Sequence, residues 1–137
     1  ELKIAEKELN VEYLGSVKTE DYLPSKFTNP IVAKRAKHVI FENDRVLKAK
    51  ESILNNDIKK FGKLMNESHQ SYSYDFEAST NDVDEIVNNS IKCGALGARL
   101  TGGGFGGFTV SLIKKDEFLN WYNKINQIYP SNKIFEV

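Results

Sequence analysis

The chain is 137 residues long and balances 19 Lys plus Arg against 19 Asp plus Glu, for a net charge of zero. That length suits one ordinary domain able to bury a core without metals or disulfides, and the balanced charge supplies no summed field to attract nucleic acid or an anionic membrane. The single cysteine, Cys93, excludes an internal disulfide, no apolar run approaches the ~20 residues of a bilayer span, and no leader pattern opens the chain, so a soluble, cytoplasmic protein is expected.

Residues 1–9 read as a helix already under way, with Leu2, Ala5 and Leu9 on one side and no capping residue ahead. An irregular stretch leads to Asn29 and Pro30, a favoured cap and first helical position because proline has no N–H to leave unpaired. The helix that follows puts Val32, Ala36, Val39, Ile40, Val46 and Leu47 on one face, and Arg35, His38, Glu42 and Arg45 on another, expected to be a solvated or domain-facing charge stripe. A helix over 57–72 has Ile58, Phe61, Leu64, Met65 and Tyr72 as its apolar side. Gly62 there permits a close neighbour, and His69 is expected to be a packed structural residue. A third helix starts after an Asn81 cap, with Asp82, Asp84 and Glu85 in its positive first turn and Val83, Ile86, Val87 and Ile91 inward, and stops at Gly94.

The period then changes. Residues 95–101 and 108–113 read as strands joined by a glycine-rich hairpin loop, 115–129 returns to helical spacing through Phe118, Trp121, Tyr122, Ile125 and Ile128, and 134–137 reads as a last strand. Helices followed by strand, loop, strand, helix and strand predict an α+β domain with helices on one face of a small antiparallel sheet. Both ends look cut, so residues 1–137 are expected to form one domain of a longer chain.

Five of the nine glycines fall within 102–107, in the run TGGGFGGFTV. Each costs about 0.5 to 1 kcal/mol of conformational entropy relative to alanine unless the fold uses the freedom. Either the turn requires several positive φ values, with the glycines packing a tight hairpin, or another group approaches the main chain, as when successive amides cradle an anion. Gly102, Gly104 and Gly107 match G-x-G-x-x-G, yet a strand rather than a helix follows, no Lys-Ser/Thr follows the last glycine, and no protein-kinase signature accompanies it. Arg99, two positions before the loop, is a candidate for substrate contact or loop support, although strand arginines commonly pair with a carboxylate. Cys93 reads as a small buried apolar residue and Trp121 and Tyr122 as core aromatics. No metal-ligand set stands out.

The words GARLTGGGFGG (97–107), KRAKHVIFENDRVLKA (34–49), FGKLMNESHQS (61–71) and DFEASTNDVDEIV (75–87) together resemble the galactokinases, members of the GHMP small-molecule kinase superfamily. Four motifs in order are far more specific than one glycine pattern. The sugar-recognition, serine phosphate-loop and catalytic-Asp sequences of that family do not occur here, and Phe108 stands where many relatives have a small residue. The resemblance therefore implies the C-terminal domain alone, a ferredoxin-like α-β plait whose first strand precedes Glu1. It implies transfer of the ATP γ-phosphate to the 1-hydroxyl of galactose by the full-length protein, with Mg2+ and ATP bound mainly by an N-terminal domain. Thr101, Gly102, Gly103, Gly104, Phe105, Gly106 and Gly107 would close over the nucleotide, no catalytic residue would lie in this segment, and the segment alone would be inactive. A non-catalytic ATP and galactose sensor and an N-acetylgalactosamine-type kinase would keep the same motifs.

Overall fold

The computed structural model describes residues 1–130 and 134–136. Five helices and two strands follow in the order α1 (Leu2–Leu9), α2 (Pro30–Leu54), α3 (Ile58–Tyr74), α4 (Asn81–Lys92), β1 (Gly97–Thr101), β2 (Phe108–Leu112) and α5 (Phe118–Ile128). Short 3-10 turns fill the stretch between α1 and α2. The α+β expectation holds.

Local chemistry sets the boundaries. Asn29 caps α2 by accepting the Ile31 N–H at 2.8 Å, with Pro30 at the first helical position, and Asp57 caps α3 through the Lys60 N–H at 3.0 Å. The cap of α4 is Thr80 rather than Asn81: its hydroxyl accepts from the Val83 N–H at 3.3 Å, so the helix begins one residue earlier than predicted. Gly94 ends α4 with φ +120° while the Ala95 N–H returns to the Ser90 carbonyl at 3.1 Å.

Two apolar clusters hold the chain together. One joins α1, the irregular stretch and the first half of α2 around Ala5, Leu14, Phe27, Val32, Ala36 and Ile40. The other joins the C-terminal end of α4 to α5 around Cys93, Ala95, Trp121 and Ile125, with Tyr122 packed against it. Trp121 satisfies its indole N–H on the carbonyl and hydroxyl of Ser90, at 3.2 and 3.1 Å. Val46 and Leu47, predicted to face inward, are each 57 % exposed, and Ile128 is also exposed. The second half of α2 and the last turn of α5 project past the clusters that bury their earlier turns. The charge stripe of α2 is likewise not solvated. His38 is buried with Nδ1 3.0 Å from the Ser71 hydroxyl, and Arg35 donates to the Asp75 carbonyl at 2.7 Å and to Glu77 Oε2 at 2.6 Å.

β1 and β2 pair antiparallel from Gly97↔Leu112 to Thr101↔Phe108. Alternation puts Ala98, Leu100 and Ser111 on one face, where Ser111 meets Ser90 of α4 at 2.7 Å, and Arg99, Phe108 and Val110 on the other. The two edges differ. Along β1, α3 supplies side-chain acceptors to the outward N–H groups: Asn66 Oδ1 takes Ala98 at 2.9 Å and His69 Nδ1 takes Leu100 at 3.3 Å. This approach needs bare backbone, because a Cβ at Gly62 would lie 2.5 Å from the Leu96 carbonyl oxygen and one at Gly97 would lie 2.3 Å from the Gly62 oxygen. β2 has no strand beyond it among the described residues, and it walls a groove of about 1150 Å3 with Val46, Phe61, Phe108, Val110 and Phe135 among its lining. Of the predicted last strand, 134–136 are described and form no strand, while Val137 lies outside the described residues.

Candidate functional site

The hairpin loop between β1 and β2 follows from its backbone. Gly102, Gly104, Gly106 and Gly107 have φ values of +98°, +93°, +119° and +109°, and Phe105 itself sits at +59°. Five of the six loop residues thus occupy the left-handed region, so four of the glycines are required by conformation alone. Gly103 is not in that region, and an added Cβ there, as at Gly102 and Gly106, would meet nothing within 4 Å. Those three glycines do not pack the loop into the domain.

One point is anchored. Phe105 donates its N–H to the Ala78 carbonyl at 2.8 Å, and a Cβ at Gly104 would lie 2.7 Å from that same oxygen and 3.0 Å from the Tyr72 hydroxyl. The turn after α3 therefore holds the apex of the loop, while the ring of Phe105 is 77 % exposed. Thr101 ends β1 on the surface and, across the ladder, faces Phe108, which is also exposed. No other loop amide makes a backbone hydrogen bond among the described residues.

The remaining polar groups near the loop are committed to one another. Arg99 gives Nη1 to Glu42 Oε1 at 3.2 Å and Nε to the Leu100 carbonyl at 3.1 Å. Glu42 also accepts from Ser68 and Arg45, so the strand arginine joins a shared carboxylate on α2. His69 accepts the Leu100 N–H at Nδ1, which leaves the proton of the neutral ring on Nε2, 3.1 Å from Asp84 Oδ1. The two atoms are close, but Nε2 has no hydrogen-bond partner among the described residues. Burial pushes the His69 pKa below its usual value and outweighs the nearby Asp84. His38 is lowered for the same reason, with Glu42 and Asp75 opposing and Arg45 and Arg99 assisting. Among the described residues no three His, Cys, Asp or Glu side chains are arranged to hold a metal ion, and no helix is long and apolar enough to cross a membrane.

Sequence reading brought out the loop and Arg99 but missed Ala78 and Asn66, which hold the loop and the strand edge, and Asp84, which gathers Ser73, Ser79 and His69 behind them. Asp84 was read only as a charge in a first helical turn. The hydroxyls of Ser73 and Ser79 that converge on it are separated from it by eleven and five positions, and no single helical or strand period connects them.

The fold is an α+β domain with a glycine-rich loop at the end of its hairpin, and comparison with known proteins gives the class of small-molecule kinase domain to which such a fold belongs. Residues 49–131 match the family described as GHMP kinases C terminal. The chain belongs to this family. The galactokinases of Clostridium acetobutylicum and Clostridium beijerinckii are 42 % and 40 % identical to it over 98 % and 96 % of its length. It spans only 36 % and 34 % of those two relatives, about a third of each. The crystal structure of Lactococcus lactis galactokinase complexed with galactose superposes with a TM-score of 0.84 at 31 % identity, over 93 % of this chain and 34 % of that one. The crystal structure of L. major mevalonate kinase in complex with R-mevalonate, at 24 % identity and a TM-score of 0.62 over 95 % of this chain and 36 % of that one, shares the fold.

Proposed function

We propose that the chain is the C-terminal domain of a galactokinase whose other domain binds galactose and Mg-ATP, and that the loop from Thr101 to Gly107 closes over the nucleotide phosphates. Phosphoryl transfer demands positioning and charge neutralisation more than covalent chemistry. A second domain can contribute by aiming main-chain donors at the phosphates. The observation that carries the reading is the open side of the loop: among the described residues, Gly102, Gly103 and Gly106 have no neighbour where a side chain would go, and their amides make no backbone hydrogen bond. Gly102 and Gly104 have positive φ on either side of Gly103, which does not, and alternation of that kind is the backbone pattern of anion-binding nests.

The loop carries no carboxylate, so its chemistry fits phosphate oxygens rather than Mg2+, which falls to the rest of the protein. Supporting the division of labour, the relatives are about three times as long, and among the described residues β2 has no strand on its outer edge, beside an apolar groove suited to a strand from the other domain. A cytosolic location supplies the ATP and suits one unpaired cysteine.

Gly103→Val in the full-length protein tests the loop. The site has ordinary φ and empty space, so the thermal midpoint should hold, while kcat/KM for ATP should fall by about tenfold to a hundredfold because the new side chain stands where phosphate would approach. Wild-type kinetics in a coupled ADP-release assay would remove the loop from the active site.

A further inference from the structure

Asp84 is occupied on both oxygens, yet nothing in the phosphate chemistry above uses it. Its Oδ1 accepts from the Ser79 hydroxyl at 2.5 Å and lies 3.1 Å from His69 Nε2, and its Oδ2 accepts from Ser73 at 2.7 Å. Two of these partners lead to the loop. His69 holds the Leu100 N–H, the residue directly before Thr101, at 3.3 Å, and Ser79 follows Ala78, whose carbonyl holds the Phe105 N–H at 2.8 Å. One carboxylate on α4 therefore binds the turn to which the loop's apex is tied, through the Ser79 hydroxyl, and lies against the histidine that holds the strand end from which the loop departs.

We infer that Asp84 is a positioning residue for the glycine-rich loop, coupling its two attachment points so that the open amides are held in one place before ligand arrives. A loop with five residues of positive φ gains little from packing and would otherwise sample many conformations. Two tethers to one carboxylate reduce that freedom without placing a side chain in the space the loop leaves open. The geometry also separates Asp84 from Arg99, whose guanidinium is engaged by Glu42 on a different helix. The functional half of this inference rests on the reading that the loop meets the nucleotide; the anchoring half does not.

The test uses the full-length protein with Asp84→Ala, Ser79→Ala and the near-isosteric Asp84→Asn, followed by hydrogen exchange of peptides spanning 102–107 and by steady-state kinetics. Asp84→Ala should speed exchange of the hydrogen-bonded Phe105 amide, the one loop amide whose protection the anchor would govern, by about tenfold, Ser79→Ala should do so to a smaller extent, and Asp84→Asn, which can still accept from Ser79, should stay within about threefold of wild type. In parallel, KM for ATP should rise by about tenfold in Asp84→Ala while KM for galactose holds within about twofold, with Asp84→Asn restoring the ATP value. Ser79→Ala keeps the carboxylate and its other partners, so it reports even where Asp84→Ala folds poorly. Loop exchange at the wild-type rate in both Asp84→Ala and Ser79→Ala would overturn the anchor. Faster exchange with unchanged ATP kinetics would uphold the anchor and overturn instead the contact between loop and nucleotide.

Discussion

A single missing methyl group decides how close α3 comes to β1. Gly62 and Gly97 stack main chain on main chain, and either Cβ would fall within 2.5 Å of a backbone oxygen that cannot move independently of its element. Gly62→Ala should destabilise the domain by about 2 kcal/mol or more, although alanine is the better helix former by about 1 kcal/mol. Gly103→Ala, with open space around it, should stay within about 0.5 kcal/mol of wild type. Urea unfolding of the two variants side by side checks the contrast. The histidines act at the same scale through protonation. His38 and His69 both have pKa values below the usual 6.5 because burial disfavours their charged forms. As pH falls below about 6.5 the unfolded chain takes up protons before the folded one does, so stability present at neutral pH is lost on acidification. The charges facing them are Glu42, Asp75, Arg45 and Arg99 for His38 and Asp84 and Arg99 for His69. The thermal midpoint should drop between pH 7.5 and 5.5, and His38→Asn, which places an amide near the Nδ1 position, should flatten part of that slope.

At the level of elements, the unequal edges of the two-stranded sheet matter most. A strand edge left open presents a row of unpaired amides, and α3 removes that exposure on β1 with Asn66 and His69. Asn66 also gives Nδ2 to the Leu96 carbonyl at 3.4 Å, so it addresses an acceptor and a donor of one strand. Asn66→Leu should cost about 1 to 3 kcal/mol by leaving the buried Ala98 N–H without a partner, and amide exchange at Ala98 should accelerate more than at Leu100. The sequence made α3 and its apolar side legible, and it marked Gly62 as a place of close approach. It could not reveal Asn66 as an edge cap, because an asparagine in mid-helix looks the same whether its amide meets water or a strand. The packed role expected of His69 held, whereas His38, read as part of a charge stripe, is enclosed by Tyr72 and Phe76 at centroid distances of 5.4 and 4.8 Å. Those rings arrive from α3 and the turn beyond it, more than thirty positions along the chain.

For the molecule as a whole, the unpartnered side of β2 dominates. Phe108 is 69 % exposed, and with Val46 and Val110 it borders a groove beside the edge of β2 that no strand covers among the described residues. Under the proposed function the rest of the galactokinase covers this face. The isolated 137-residue chain should then show no galactose-dependent ADP release. Val110→Lys should make that isolated chain more soluble, yet it should destabilise the full-length protein by about 2 kcal/mol because a charge replaces an apolar contact. Comparing the two forms by light scattering and thermal unfolding checks both halves, and galactose-dependent turnover by the isolated chain would end the division of labour.

What the sequence determined by itself is whatever depends on neighbours along the chain: the Pro30 start and Asn29 cap, the Gly94 stop, the change from helical to strand period after residue 94, and a glycine run that few side chains could replace. Only the tertiary structure decided that Val46 and Leu47 lie outside the core, that Arg99 belongs to Glu42, that Ala78 holds the loop, and that Ser73 and Ser79 converge on Asp84. The physical reason is range. Caps, periods and positive φ are set within a turn or two of chain, whereas burial and polar pairing are set by which distant element arrives, and a hydroxyl or carboxylate carries no mark of its partner until the fold brings the two together.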